Sequence, residues 1–174
     1  CLSCHKEMHK TLAAASVHAP AKERDCGACH VPHVSEQPAL LRTPVRDLCT
    51  DCHAKASGFG AAMQRAHGKS LPAEGACESC HDPHASTAKH LVKPVMHKPV
   101  AAMECEKCHR IEGGTVREAS LAGMKLCVSC HTKNRYTPVA GETGHPPATE
   151  GKCLMCHDQH GSNFAGLLRA SQTQ

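Results

Sequence analysis

The 174-residue sequence is poor in the side chains that usually fill a protein interior: it has one tyrosine, two phenylalanines and no tryptophan. Aromatic and large aliphatic side chains supply most of the surface that a core buries, so a polypeptide core alone cannot hold a chain of this length together. There is also no run of 18 apolar residues, which excludes a membrane-spanning helix, and no recognisable signal peptide. A group other than the side chains must therefore fill the interior.

Cysteine and histidine are abundant instead, at 14 and 16 residues. Every cysteine lies in a C-x-x-C-H unit, and none is left over. We number these units in chain order: motif 1 (Cys1, Cys4, His5), motif 2 (Cys26, Cys29, His30), motif 3 (Cys49, Cys52, His53), motif 4 (Cys77, Cys80, His81), motif 5 (Cys105, Cys108, His109), motif 6 (Cys127, Cys130, His131) and motif 7 (Cys153, Cys156, His157).

C-x-x-C-H is the attachment signature of c-type haem. The two thiols add to the two vinyl groups of one haem, and the adjacent histidine becomes the proximal iron ligand. A disulfide framework would leave the seven motif histidines unexplained. A zinc ribbon needs no histidine at that position, and thioredoxin-like chemistry needs a single C-x-x-C. The sequence therefore predicts seven covalently attached haem c groups, bound by the fourteen cysteines and ligated by the seven motif histidines.

Seven porphyrins would supply the missing aromatic core, with the polypeptide wrapped around them. The predicted fold class is mostly irregular coil with a few short α-helices around a haem array and no substantial β-sheet, because eleven prolines and thirteen glycines punctuate the chain. The best helix candidate is 6–17. Short helical turns are expected after several motifs, and 112–126 is expected to hold a loop and one turn.

Nine histidines lie outside the motifs, and four of them share one setting. They precede the first cysteine of a motif by eight to ten residues, far enough for the chain to loop over a haem edge and reach the opposite iron face. This spacing predicts distal ligands for motifs 2, 4, 5 and 7, in that order: His18, His67, His97 and His145.

Three other histidines each follow a proximal histidine by three residues: His33, His84 and His160. Residues i and i+3 of a helical turn project from the same face, so such a pair cannot bind both sides of one iron. Each must serve a neighbouring haem, and motifs 1, 3 and 6 are the three that lack a ligand. The order predicts these three histidines as their distal ligands, respectively. As an alternative, an upstream histidine could exchange places with the distal ligand of the other haem in the same pair of motifs.

His9 and His90 exceed the number of ligands required. Both are interpreted as surface or propionate-binding histidines. The alternative, for His9 above all, is a ligand donated to a haem of a neighbouring subunit.

The motifs also form longer repeats. The clearest copies are 26–53 and 77–109, while 153–171 matches a first half and the opening "CLSCH" a second half. These stretches resemble the doubled-CXXCH family of multihaem c-type cytochromes, including the subunits of extracellular cytochrome filaments. The resemblance implies a periplasmic or extracellular electron carrier, secreted although no signal peptide is present in this sequence. We expect residues 1–174 to form a single heptahaem domain.

The predicted function is electron transfer through a continuous chain of seven bis-histidine haems, in a conduit that polymerises into a filament. The alternatives are a discrete periplasmic carrier, a haem subunit of a respiratory complex, or a multihaem oxidoreductase with one open iron. Histidine on both iron faces leaves no substrate site, which favours a protein that is not an enzyme.

The predicted partners are other redox proteins or terminal electron acceptors, together with end-to-end self-association in which His9 is a candidate inter-subunit ligand. The formal charge of +4 offsets the haem propionates, which bring the loaded chain to about −3, and no nucleic acid is expected as a partner.

Overall fold

The computed structural model describes residues 1–53, 61, 65–67, 71–72, 76–113, 115–132 and 138–171. The α-helices in these parts are Met8–Thr11, Ala19–Lys22, Val45–His53, Lys98–Ala101, Met124–Val128 and Pro146–Thr149. The 3₁₀ turns are Cys26–Ala28, Pro38–Leu40, Cys77–Ser79, Lys89–Leu91, Cys105–Lys107, Cys153–Met155 and Ala165–Leu167. The strands are Ser16–Val17, Leu71–Pro72, Ala85–Ser86, Val95–Met96, His109–Glu112, Thr115–Ala119 and Gly161–Ser162.

The predicted fold class is confirmed: the helices are short, the sheets are small and most of the described chain is coil. The longest described helix, Val45–His53, has nine residues and contains motif 3. No described helix has the length and apolar character needed to cross a membrane.

Two details of the predicted secondary structure are wrong. The helix expected over 6–17 covers only Met8–Thr11, because Ser16–Val17 pairs as a strand with a distant segment. The region expected to hold a loop and one turn begins with a β-hairpin, His109–Glu112 with Thr115–Ala119, whose β-branched residues favour strands. The short helical turns expected after several motifs are present, at Met8–Thr11, Pro38–Leu40, Lys89–Leu91 and Ala165–Leu167, and further 3₁₀ turns open motifs 2, 4, 5 and 7 themselves.

Two long-range antiparallel pairings organise the chain. Ser16–Val17 pairs with Ala85–Ser86, and Val95–Met96 pairs with Gly161–Ser162. One strand of each pairing lies directly before an upstream histidine, His18 or His97. The other strand lies directly after a histidine that follows a motif histidine by three residues, His84 or His160. The same arrangement therefore occurs twice, and each occurrence spans three motifs, from motif 2 to motif 4 and from motif 5 to motif 7.

Little of the described chain is buried. Among the described apolar side chains only Ala85 is classed as buried, at 5% exposure, and its neighbours in the two pairings, Ser86 and Ser162, are at 4% and 5%. The best-buried residues of the described chain thus lie in the two short strand pairings rather than in a side-chain core.

Candidate haem-ligating histidine pairs

Five of the seven motifs share a compact local geometry. In motif 2 the carbonyl of Cys26 accepts hydrogen bonds from the backbone N–H groups of Cys29 and His30, and motifs 1, 4, 6 and 7 repeat both bonds. This turn holds the two thiols and the histidine together. All fourteen cysteines lie in the described residues and none forms a disulfide. In those residues no three His, Cys, Asp or Glu side chains cluster as a zinc site would require.

The histidine rings face one another in pairs that join distant parts of the chain. Two imidazoles that bond one metal ion at about 2 Å have ring centres about 6 Å apart. The observed centroid distances and interplanar angles are 5.9 Å and 13° for His18–His53, 6.0 Å and 9° for His30–His84, 6.0 Å and 54° for His67–His81, 6.0 Å and 16° for His97–His131, and 5.8 Å and 22° for His109–His160. Each pair combines one motif histidine with one of the predicted distal histidines.

This pairing corrects four assignments made from spacing. His18 faces motif 3 rather than motif 2, and His84 faces motif 2 rather than motif 3. In the second arrangement, His97 faces motif 6 rather than motif 5, and His160 faces motif 5 rather than motif 6. The distal histidines are exchanged within each pair of motifs. The pairing of His67 with motif 4 agrees with the spacing, although the rings are tilted.

The reason lies in the segment between each upstream histidine and its motif. After His18 the chain forms the helix Ala19–Lys22 and turns through Arg24, which has a φ of 61°. The Asp25 backbone N–H then donates to the Pro20 carbonyl at 2.9 Å. This compact turn cannot loop over the edge of the haem that follows, so the ring of His18 reaches a different one.

The proximal rings are fixed by backbone carbonyls. The Nδ1 atoms of His30, His81 and His157 lie 2.9, 2.8 and 2.8 Å from the carbonyls of the residues nine positions later, Ala39, His90 and Gly166. Those three residues have φ values of 56°, 58° and 69°, which turn the carbonyl back towards the ring. An Nδ1–H donated to a carbonyl leaves Nε2 as the ligating nitrogen, as metal-binding histidines commonly arrange.

The same observation explains one of the spare histidines. His90 occupies the position that Ala39 and Gly166 occupy in the related turns, and it contributes its carbonyl to His81. Because alanine and glycine make the same contact, the contact does not depend on the His90 imidazole.

Two upstream histidines are fixed in a related way. The backbone N–H of His18 donates to the His84 carbonyl at 2.9 Å, and its Nδ1 lies 3.0 Å from the Pro83 carbonyl. His97 makes the equivalent contacts with the carbonyls of His160, at 3.0 Å, and Gln159, at 3.1 Å. Each upstream histidine therefore docks on the backbone of a histidine 63 or 66 positions later in the chain, His160 or His84.

The segments that carry His84 and His160 contain positioning residues that the sequence reasoning missed. Asp82 Oδ1 accepts the backbone N–H groups of His84 and Ala85, and Asp158 does the same for His160 and Gly161. A repeated D-x-H-x-S pattern at 82–86 and 158–162 was the available signal.

The serine of this pattern closes the turn. Ser86 Oγ donates to the Val92 carbonyl at 2.5 Å and accepts the Ala88 N–H at 3.0 Å. Ser162 makes the same two bonds with Leu168 and Phe164.

Burial favours the neutral form of three of the paired rings. Burial lowers the pKa of His84, although the nearby Asp82 carboxylate acts in the opposite direction. Burial also lowers the pKa of His160, with a further contribution from His109, and that of His53, with a contribution from His18. A neutral imidazole has the lone pair that a metal ion requires.

Thiols of consecutive motifs lie close together from motif 2 to motif 7. Those of Cys49 and Cys77 share a hydrogen bond, which raises the pKa of Cys49 and lowers that of Cys77 to about 7. The Cys127 and Cys153 thiols also share one. In the remaining steps burial raises the pKa of one thiol and a neighbouring cysteine raises it further: Cys52 for Cys29, Cys105 for Cys80, and Cys108 for Cys127. The attachment points of motifs 2 to 7 are therefore neighbours in chain order.

The remaining predicted ligands have no facing ring in the described chain. His33 does not meet His5, and His145 does not meet His157. His5 instead lies 3.4 Å from Glu7, Nδ1 to Oε1.

Taken as a donor set, the residues fit a c-type haem. Each paired motif offers two thiols on one turn and a ring facing a second ring at metal-bridging distance, and the buried apolar surface is small enough to leave the interior to another group. The two thiols and the adjacent histidine of each motif are the donors that a c-type haem requires.

Comparison with known proteins agrees with this chemistry. The model of the doubled CXXCH motif family matches residues 18–58, 71–96, 97–136 and 145–174. The multiheme cytochrome MtrA of Shewanella baltica (strain OS185) is 32% identical over 197 aligned positions, which cover 94% of this chain and 57% of that protein. The chain thus spans a little over half the length of this relative. The chain belongs to the doubled CXXCH family, and it is a multihaem c-type cytochrome whose C-x-x-C-H motifs carry covalently bound haem c.

Proposed function

We propose that this chain transfers electrons along a continuous row of seven covalently bound haems, each held between two histidines. The observation that carries the proposal is the set of five facing histidine pairs, together with the row of neighbouring thiols from motif 2 to motif 7. Residues 1–174 act as one heptahaem domain with the fourteen cysteines as attachment points.

Haem, when bound, supplies reversible one-electron chemistry at its iron. The polypeptide would position the haems and exclude substrates from their irons. The facing imidazoles of His30 and His84 would hold the haem iron from both sides, which would leave no place for a substrate there. The Ala39 carbonyl fixes the orientation of the proximal ring of His30, and the Pro83 carbonyl fixes that of the distal ring of His18. The chain is an electron carrier and not an enzyme that converts a substrate.

The thiol contacts support transfer between neighbouring sites. The sulfurs of Cys49 and Cys77 lie within hydrogen-bond reach, so the attachment edges of motifs 3 and 4 are close together, and the same holds for Cys127 and Cys153 of motifs 6 and 7. Because motifs 2 to 7 are neighbours in chain order, electrons entering at one end of this row would pass through each of its sites in turn.

The cellular role follows from the family. A relative is named as a multiheme cytochrome, and the family resemblance of the motifs implies a carrier outside the cytoplasm. We assign the chain to the periplasm or the cell exterior, with other redox proteins or terminal electron acceptors as partners. End-to-end association would extend the row into a filament. A discrete periplasmic carrier or a haem subunit of a respiratory complex is the alternative.

A reductive titration of the haem-loaded protein, followed by haem absorbance, tests the proposal. We expect about seven electrons per chain, low potentials typical of histidine ligation on both faces, and low-spin spectra throughout. His90→Ala serves as the matched control, because only the carbonyl of this residue is used. Fewer electrons, or several high-spin irons in the fully assembled protein, would refute the bis-histidine row.

A further inference from the structure

We propose that three basic side chains, Arg42, Lys93 and Arg169, raise the reduction potentials of the haems at motifs 2, 4 and 7, because each holds a positive charge on the turn that carries the two thiols of its motif. The inference rests on the proposed function, since it requires haem-loaded motifs. Histidine pairs of one kind do not distinguish the haems of the row from one another, whereas these charges would make some haems easier to reduce.

The segments that follow motifs 2, 4 and 7 form the same turn. A serine hydroxyl donates within each turn to a carbonyl six residues later, from Ser35, Ser86 and Ser162. A basic residue ends each turn, thirteen positions after the second cysteine of the motif. Its backbone N–H donates to the carbonyl of that cysteine, at 3.0 Å for Arg42, 2.8 Å for Lys93 and 2.8 Å for Arg169.

The three basic side chains fold back over their own motifs. Each donates to a carbonyl between the two cysteines: Arg42 to Gly27 at 3.3 Å, Lys93 to Ser79 at 3.5 Å, and Arg169 to Leu154 at 3.0 Å. Backbone and side chain thus hold each basic residue against its motif at two points. The positive charge therefore lies on the stretch of backbone that joins the two haem-attachment positions.

The charges reach the sulfur positions. Burial raises the pKa of the Cys29 thiol, and Arg42 acts in the opposite direction. Burial also raises the pKa of the Cys80 thiol, which Lys93 opposes. A thioether no longer titrates, but the charge stays beside the haem edge that the sulfur binds. Because reduction adds one electron and therefore one negative charge to a haem, a neighbouring cation favours the reduced form.

Lys93 has the most effective position of the three. Its side chain is 17% exposed, whereas Arg42 and Arg169 are exposed, so solvent and salt screen the lysine charge least. Asp158 Oδ2 lies 3.8 Å from the Lys93 ammonium, and this carboxylate adds to the effect of burial in raising the pKa of Cys80. The potential of the motif 4 haem therefore depends on the balance between one lysine and one carboxylate.

Motif 5 makes the same backbone contact with a neutral residue. The backbone N–H of Ser120 donates to the Cys108 carbonyl at 2.8 Å, and the Ser120 hydroxyl donates to the same carbonyl at 2.9 Å. A serine thus stands where motifs 2, 4 and 7 have a cation. The chain therefore offers a position at which the charge can be added as well as positions at which it can be removed.

The test is a reductive titration of the haem-loaded 174-residue protein and its variants, followed by haem absorbance. Lys93→Met keeps the length of the side chain and removes its charge. At a given applied potential it should lower the ratio of reduced to oxidised haem at motif 4 about tenfold, which corresponds to about 59 mV for one electron. Lys93→Arg should restore the potential of the unmodified protein.

Asp158→Asn separates an electrostatic role of Lys93 from a structural one. This variant keeps the Oδ1 atom that accepts the His160 N–H, and it should raise the potential of the same haem because it leaves the lysine charge unopposed. Both substitutions break one ion pair, so a structural role would shift the potential in the same direction in both. Lys98→Met is the matched control, since this lysine is exposed and, within the part of the chain that the structure describes, its side chain donates to no motif carbonyl.

Two further comparisons identify the haem and the mechanism. In a chain with Cys77 and Cys80 replaced by alanine, Lys93→Met should shift none of the remaining potentials. Arg42→Met and Arg169→Met should each lower the reduced-to-oxidised ratio of one haem about threefold, and these shifts should shrink at high salt. Ser120→Lys should raise one potential, and this gain should be lost when Cys105 and Cys108 are replaced by alanine.

The number of electrons taken up distinguishes a failure of the inference from a failure of the proposed function. Fewer than about seven electrons in the unmodified protein would refute the seven-haem row, and the shift at motif 4 would still be measurable because it concerns one haem. Unchanged potentials in Lys93→Met would overturn the role of Lys93 alone. Shifts of the same direction in Lys93→Met and Asp158→Asn, or a shift that persists without the motif 4 haem, would overturn it as well.

Discussion

Replacing His84 by alanine should open one face of the motif 2 iron and leave motif 3 unaffected. The ring of His84 lies 6.0 Å from that of His30 and 9° from parallel to it. The spacing of the sequence alone assigns His84 to motif 3, so this variant separates the two assignments. Because the iron at motif 2 would lose its only facing ring, it should become high-spin or bind water.

The structure limits the effect to a single iron. The His84 carbonyl would still accept the His18 N–H, and the His84 N–H would still donate to Asp82, since both bonds use the backbone. His18 therefore stays opposite His53, and it cannot replace the missing ring. One iron among seven motifs should change, which is about 14% of the haem spectrum.

Electron paramagnetic resonance and haem absorbance measure the high-spin fraction, and a background substitution identifies the iron. In a chain with Cys26 and Cys29 replaced by alanine, His84→Ala should add no further high-spin signal. In a chain with Cys49 and Cys52 replaced, the added signal should remain. The opposite result would restore the assignment from spacing. His84→Met, which retains a ligand and should raise one potential, shows that the fold survives, and His90→Ala is the silent control.

Other outcomes are expected from the same structure. The denatured protein should carry seven haem additions by mass spectrometry with no free thiol, and fewer additions with free thiols remaining would contradict the motif count. The assembled, reduced protein should bind carbon monoxide poorly, and strong binding at one iron would indicate an open site. Ser86→Ala should lower the free energy of unfolding by about 1–3 kcal/mol in denaturant titrations, because it leaves a buried carbonyl and a buried N–H unpaired. Ser35→Ala, at the less buried equivalent position, should lower the free energy of unfolding by a smaller amount. Equal losses would show that burial is not the cause.

The attachment chemistry could be predicted from the sequence because it is local. Within one five-residue motif the carbonyl of the first cysteine bonds the N–H groups of the second cysteine and the histidine, so the spacing of the letters already fixes the spacing of the groups. The same locality explains why His84 could be excluded as a partner of His81. The scarcity of aromatic residues likewise indicated that a group other than the side chains fills the interior. The many prolines and glycines indicated that regular secondary structure would be scarce.

The partner of each distal histidine was decided by tertiary structure. His18 reaches motif 3 because Ser16–Val17 pairs with Ala85–Ser86, and this pairing rests on two-residue strands that leave no periodic signal in a sequence. The supporting Asp82 and Ser86 act through backbone bonds that exist only once the turn has formed. Spacing along the chain measures how far a histidine can reach, but the strand pairing determines the direction in which its ring points, and the direction selects the iron.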